Sequence, residues 1–173
     1  AGSGRFAAQR NGRSDRHSVA PQPMKRVVAL DPGRSKCGLL LADTATNTVL
    51  QGRVIPSTEV LEQLRAWMEE AQGTSAQIDE LVIGDGTSST IWQQQLPSSL
   101  KVRVVDETGT TLRARERYWQ LWPSRGWKRL LPAGLRIPSG DLDAIAALVI
   151  LEDYLDRPLQ WPGPDPLKTG PSP

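Results

Sequence analysis

The order of the apolar segments constrains the fold of this chain more than any other feature. Residues 25–30, 37–42 and 48–55 are short apolar segments, joined by the tight connections PGRSK and DTATN. The turn residues in these connections are typical of hairpins, so the pattern predicts three antiparallel strands. Predicted helices at 57–72, 89–96, 110–120 and 141–155 then alternate with predicted strands at 80–84 and 101–107. This order predicts an α/β domain whose mixed five-stranded sheet has three antiparallel strands, then parallel strands, and is flanked by helices.

Two further predictions concern the start of the first helix and the longest connection. Ser57 stands at the start of the first helix, where its hydroxyl is expected to cap free backbone N–H groups. Residues 121–140, which are rich in proline, glycine and basic residues, are predicted to form a long irregular crossing.

Residue counts exclude several classes of protein. The 173 residues fit one domain and include one cysteine, Cys37, and one histidine, His17. Ser-His-Asp or Cys-His catalysis and a Cys/His zinc site are therefore not expected. The longest apolar run, residues 144–151, is far shorter than the roughly 18 residues of a membrane span. We expect a soluble protein of a reducing compartment, and hence a cytoplasmic one.

Both ends of the chain differ in composition from its middle. Residues 1–23 have no hydrophobic periodicity and are predicted to be a disordered arm or an expression remnant, with a transit peptide as the alternative. Residues 24–157 form the predicted domain. Residues 158–173 are rich in proline and glycine and are predicted to be a flexible tail, which Trp161 could pin to the domain.

The charge of the chain is concentrated in one segment. The arm holds four Arg and one Asp, which leaves 17 of the 21 basic and 18 of the 19 acidic residues for the remainder. Residues 113–136, however, contain seven basic residues and one acidic residue, interleaved with four aromatic ones. Such a segment suits phosphates and stacked bases, although a solvated loop with buried Trp side chains is the alternative. The candidate nucleic-acid contacts are Arg113, Arg117, Arg125, Lys128 and Arg129, together with Arg34 and Lys36 in the first turn.

Acidic residues follow several predicted strands. Asp31 ends the first strand, Asp85 follows the strand at 80–84, and Asp106 and Glu107 end the strand at 101–107. Ligands of open α/β sheets collect at the carboxyl ends of strands, so these carboxylates are expected to share one edge. Each also has a structural interpretation, because Asp31 and Asp85 suit turns and Asp106 suits a helix cap.

Asp143 is harder to explain as a structural residue, although Asp141 beside it suits an N-cap. It precedes a helix too apolar to have a wide solvent face, so its carboxylate is expected to need a cation. The apolar parts of these segments contain no Lys or Arg, which favours a divalent metal. Oxygen ligands alone indicate Mg²⁺ or Mn²⁺, and two such ions about 4 Å apart would suit phosphodiester cleavage.

Three segments of the chain resemble those of a known family. ALDPGRSKCGLLLAD, VVDETGTTLRARERYW and DLDAIAALVILEDYL resemble, in that order, the three motifs of the YqgF/RuvX family, nucleases with an RNase H-like fold associated with Holliday-junction resolution and pre-16S rRNA processing. The resemblance covers residues 25 to about 156. It implies a metal-dependent endonuclease that hydrolyses phosphodiester bonds in branched DNA or precursor rRNA.

The resemblance also implies site residues. Asp31, Glu107 and Asp143 match the family's carboxylates, which implies catalytic residues that bind Mg²⁺ or Mn²⁺. Asp85 stands where other RNase H-like nucleases carry a carboxylate after the fourth strand, and Asp141 is a further candidate metal ligand. Departures from the family pattern are Thr108 in place of Arg, GDGT in place of Gly-x-Pro, and the long basic segment.

Two other functions compete with the nuclease. A nucleic-acid-binding or ribosome-assembly module of the same fold would be expected to lose a carboxylate, and all three are present. An actin-like sugar kinase or ATPase is suggested by DPGRSKCG, but such proteins need two lobes and a much longer chain. Cleavage of a symmetric junction would favour a homodimer.

Overall fold

The computed structural model describes residues 25–126, 130–132 and 136–168, and the strands of these residues form one mixed sheet. The strands are β1 (Arg26–Asp31), β2 (Lys36–Asp43), β3 (Thr48–Pro56), β4 (Ile78–Gly84) and β5 (Lys101–Val105). Their order across the sheet is β3-β2-β1-β4-β5. β1 to β3 pair antiparallel, whereas β4 pairs parallel with both β1 and β5. The predicted α/β class and mixed five-stranded sheet are confirmed.

Helices cover both faces of the sheet in the described part of the chain. They are α1 (Val60–Ala71), α2 (Ser89–Gln95), α3 (Thr110–Leu121) and α4 (Asp143–Leu155), with a short 3₁₀ turn at Ser57–Glu59 before α1. The side chains of successive strand residues alternate between the faces. On β1, Val28 and Leu30 face α1 and α2, while Val27 and Ala29 face α4.

The helix α4 is buried along most of its length because it lies directly on the centre of the sheet. All eight residues from 144 to 151 are buried. Gly38 on β2 permits this close approach, since a Cβ there would overlap the backbone carbonyl of Asp143. The first residue of α4 is thereby held beside Asp31, whose partner across the β1–β2 pair is Gly38.

The structure corrects two local predictions. Ser57 does not cap the first helix: its hydroxyl donates a 3.0 Å hydrogen bond to the backbone carbonyl of Arg34. The prediction of a flexible tail from residue 158 is wrong for residues 158–168. Leu159 is buried, Gln160 bridges to Thr48 on β3, and the Trp161 ring lies against Gly52.

The predicted arm at 1–23, Lys128, Arg129 and residues 169–173 lie outside the described residues. Among the described helices, none has both the length and the apolar character needed to cross a membrane.

Candidate functional site

The predicted carboxylates lie at one edge of the sheet. β1, β4 and β5 are parallel, so their carboxyl ends meet there. Asp31 is the last residue of β1, and Glu107 stands two residues after β5. Asp143 is the first residue of α4, on the face of the sheet that this helix covers. We call Asp31, Glu107 and Asp143 the carboxylate cluster.

Gly84, the last residue of β4, and Gly86 beyond it make room for the side chain of Glu107. A Cβ at Gly84 or at Gly86 would overlap the carboxylate oxygens of Glu107. Asp85, between these glycines, accepts a 3.0 Å hydrogen bond from the backbone N–H of Glu107. The sequence GDG therefore fixes the turn after β4 and the position of Glu107 together, a role that the sequence analysis did not assign to the glycines.

Like charges and burial raise the pKa values of the cluster. Burial raises the pKa of Asp31 to about 7, with further contributions from the charges of Asp143 and Glu107. The pKa of Glu107 is raised by burial and then by the charge of Asp85, although a hydrogen bond from the backbone of Gly86 opposes the shift. The pKa of Asp143 is also raised, chiefly by burial. Asp31 is thus close enough to Asp143 and to Glu107 for their charges to disfavour its ionised form.

Glu80 shows how the same sheet accommodates a buried carboxylate with a structural role. It lies near the opposite end of β4, where Lys25, Arg103 and the Tyr154 hydroxyl all donate hydrogen bonds to it. Burial alone would raise the pKa of Glu80, but the three hydrogen bonds together outweigh burial and lower the pKa. The hydrogen bond from Lys25 makes the largest of these contributions. Asp31, in contrast, has no basic side chain hydrogen-bonded to it among the described residues, and its pKa moves the other way.

Lys36 is a cation at this site that the sequence analysis assigned only to nucleic-acid binding. Its ammonium group pairs with Asp141, and its charge lowers the pKa of Asp143 against the effect of burial. Both partners of the pair are half exposed. Asp141, a candidate metal ligand or N-cap, forms no cap hydrogen bond with α4, and Lys36 is its ionic partner.

The remaining acidic residues have partners of their own. Asp106 does not cap α3, which begins after Gly109, but accepts hydrogen bonds from the backbone N–H and the hydroxyl of Thr108. Asp85 is exposed, and its carboxylate accepts the backbone N–H of Glu107.

Over residues 25–126, 130–132 and 136–168, no three or more His, Cys, Asp or Glu side chains form a group arranged to hold a metal ion. Metal binding by the carboxylate cluster stays a prediction.

The basic residues of the predicted nucleic-acid surface fall into separate groups. Arg113 pairs with Asp153, and Arg117 forms a largely buried pair with Glu152, so both join α3 to α4. The side chains of Arg125 and Arg34 are exposed, and neither guanidinium group has a hydrogen-bond or ionic partner among the described residues. Of these described arginines, only the last two keep their guanidinium groups available to a phosphate.

The aromatic residues of the basic segment are mostly core. The Tyr118 ring is buried, and its hydroxyl donates a 2.8 Å hydrogen bond to Asp165. Trp119 and Trp122 pack against the apolar residues that Tyr118 contacts between α3 and α4. Trp122 also contacts Trp161 edge to face. The expectation that the aromatic side chains form a stacking surface for bases is wrong for Tyr118 and is not supported for Trp119 and Trp122. Trp127 lies outside the described residues.

No protein-family model matches the chain, and a search of curated proteins finds no match.

The raised pKa of Asp31 predicts how stability depends on pH. Its folded pKa of about 7 exceeds the unfolded value of about 3.9, so the folded state binds the proton more tightly. The contribution of Asp31 to the free energy of unfolding therefore falls as pH rises from about 4 to 7. We expect Asp31→Asn to stabilise the metal-free protein at pH 8 by up to several kcal/mol, since one pKa unit corresponds to about 1.4 kcal/mol. At pH 4.5 the gain should be small.

Urea unfolding in the presence of a chelator at both pH values measures this difference. Asp79→Asn is the matched control, because Asp79 is exposed near the start of β4, at the other end of the sheet. An Asp31→Asn effect of equal size at pH 4.5 and pH 8 would contradict the raised pKa.

Proposed function

We propose that this protein is a metal-dependent endonuclease that hydrolyses phosphodiester bonds in structured nucleic acid, with an RNase H-like fold. The observation that carries the proposal is the carboxylate cluster. Its members come from three parts of the chain: β1, the segment after β5 and the start of α4. Burial, together with the charges of Asp143 and Glu107, raises the pKa of Asp31 to about 7. If the carboxylates of the cluster served only to stabilise the fold, each would be expected to pair with a basic side chain. Glu80 is paired in this way, with Lys25 and Arg103.

A divalent cation fits the chemistry of these residues. The donor set is oxygen only, which suits Mg²⁺ or Mn²⁺, and binding would relieve the repulsion of Asp31 by Glu107 and Asp143. The bound metal would supply charge stabilisation and activate water for attack on phosphorus.

The protein's own residues would position the reactants. Gly84 and Gly86 hold the carboxylate of Glu107 in place, and Gly38 sets the start of α4 beside Asp31. Lys36 lies at the side of Asp143 and can exchange its bond to Asp141 for a substrate phosphate. The resemblance to the YqgF/RuvX motifs supports the same three carboxylates but leaves branched DNA and precursor rRNA as alternative substrates.

The proposal is tested by incubating labelled four-way DNA junctions, DNA duplexes and structured RNAs with the protein and Mg²⁺ or Mn²⁺. We expect cleavage of at least one branched or structured substrate and none in the presence of a chelator. If the protein binds these nucleic acids without cutting any of them under either metal, the binding or ribosome-assembly module of the same fold becomes the better assignment.

The basic segment around Arg125 is expected to bind phosphates. Reversal of Arg125, Lys128 and Arg129 to Glu should weaken binding to all substrates. It should also flatten the dependence of affinity on salt, because each phosphate contact contributes about −0.9 to the logarithmic slope on duplex DNA. Fluorescence anisotropy at several salt concentrations measures both quantities.

A pair of single reversals separates a local contact from net charge. Arg125→Glu should weaken binding, whereas Arg65→Glu, at an exposed position on α1, should change it less. Equal effects of the two reversals would show that the basic segment acts only through net charge.

A further inference from the structure

A cleft of about 370 Å³ opens between the β1–β2 turn and α2, at the carboxyl end of the sheet. One wall is the turn between β1 and β2, where Gly33 and Arg34 follow Asp31 by two and three residues. The opposite wall is α2, which begins three residues after Gly86, the residue against which the Glu107 carboxylate lies. The cleft therefore begins two residues from Asp31, at the carboxyl end of the sheet and on the face opposite to α4, and its lining includes no member of the carboxylate cluster.

The wall formed by the β1–β2 turn is fixed by backbone contacts. The Ser57 hydroxyl donates a hydrogen bond to the carbonyl of Arg34, and the Ser57 N–H donates to the carbonyl of Ser35 at 2.9 Å. Trp92 is buried in the core beneath α2 and supplies the apolar base of the cleft. Both walls of the cleft are thus tied to neighbouring backbone or to the core.

The lining combines three kinds of recognition group. Arg34 offers an exposed guanidinium, and Gln95 offers an amide; neither side chain has a hydrogen-bond partner within the described residues. Ile91 presents an apolar side chain that is 59% exposed, although it stands on a helix with a buried side. These groups match the three parts of a nucleotide. The cation suits the phosphate, the amide can donate to and accept from the edge of the base, and the apolar wall suits the face of the base.

We infer that this cleft binds one unpaired nucleotide next to the phosphate that is cut. The inference rests on the proposed nuclease function and specifies its substrate as one with an unpaired nucleotide at the cleavage site. The volume lies at the lower end of the roughly 300–1,000 Å³ of small-ligand sites, which suits one nucleotide rather than a base pair. The larger groove of about 490 Å³ between α3 and α4 is a weaker candidate, because its Arg113 and Arg117 already pair with acidic residues of α4.

The test measures binding of the whole protein to a fluorescent 12-nucleotide single strand, in DNA and RNA forms, with a chelator present to prevent cleavage. The double variant Ile91→Ala/Gln95→Ala should bind at least one form about tenfold more weakly than the wild type, as expected for loss of base contacts. The affinity of the wild type for an abasic strand of the same length should be lower by a similar factor. The variant and the wild type should bind this abasic strand equally well. Leu50→Ala/Gln94→Ala removes similar exposed side chains outside the cleft and should bind normally.

Unchanged affinity of the Ile91/Gln95 variant for the base-bearing strands would overturn the inference, as would an equal loss in the Leu50/Gln94 control. Cleavage by the wild type on the substrate panel would then still support the proposed function, so the two failures are distinguishable. A wild type that neither binds these strands nor cuts any substrate would reject both.

Discussion

Asp31→Asn and Asp143→Asn are each expected to reduce metal-dependent cleavage by at least about 100-fold. The estimate is a lower bound, because loss of a group that only supports a metal ligand already costs about 10–100-fold. Both substitutions keep the size of the side chain and remove its charge. Since the charge of Asp143 raises the pKa of Asp31, either change should also relieve repulsion, and the folded protein should be at least as stable.

Initial rates on the best substrate of the panel, with circular dichroism to confirm folding, measure this effect. Asp79→Asn serves again as the control, and Asp106→Asn is a closer one, because Asp106 neighbours Glu107 but its carboxylate accepts hydrogen bonds from Thr108. A folded Asp31→Asn protein that cuts at the wild-type rate would remove Asp31 from the mechanism.

The sheet was predictable from the sequence because its signals are local. Short apolar segments separated by turn residues mark β1, β2 and β3, and the wholly apolar segment LVI predicts the buried centre of β4. The placement of acidic residues at strand ends follows from the same pattern, since parallel strands end at one edge. The convergence of Asp31 and Glu107 was therefore accessible to sequence reasoning.

Contacts between distant parts of the chain were not predictable in this way. Ser57 has the chemistry of a helix cap, but the carbonyl of Arg34 lies close enough to accept its hydroxyl. Lys36 and Asp141 are 105 positions apart, and nothing local in either segment indicates their pairing. Composition predicts a flexible tail that Trp161 could pin to the domain, but nothing local indicates that the missing side chain of Gly52 is what admits the Trp161 ring.

The aromatic residues of α3 show the same limit for function. Alternating basic and aromatic residues favour a nucleic-acid surface, and the sequence does not say which side of α3 faces the core. Packing against α4 and the tail buries Tyr118, while Arg113 and Arg117 pair with acidic residues of α4. Of the described candidate arginines, only Arg34, three residues after Asp31, and Arg125 therefore keep an exposed guanidinium group without a partner.

Divalent metal is expected to stabilise the protein through the carboxylate cluster. A ligand that binds only the folded state adds RT ln(1 + [L]/Kd) to the free energy of unfolding, about 2.7 kcal/mol at a concentration of 100 Kd. For a domain of this size each kcal/mol raises the melting temperature by about 2–4 °C, so saturating Mn²⁺ should raise it by several degrees. Carboxylates that serve only as turns or caps would give no such increase.

The most direct measurement is a thermal-shift titration with Mn²⁺ of the wild type, Asp31→Asn, Asp143→Asn and the controls Asp79→Asn and Asp15→Asn, the last in the predicted arm. It is repeated with a noncleavable nucleic acid, whose phosphate can complete a weak metal site. We predict a rise in the melting temperature of the wild type and both controls, which is largely lost in Asp31→Asn and Asp143→Asn. A wild-type melting temperature that Mn²⁺ leaves unchanged, with and without the nucleic acid, would contradict a metal-binding carboxylate cluster and the nuclease proposed from it.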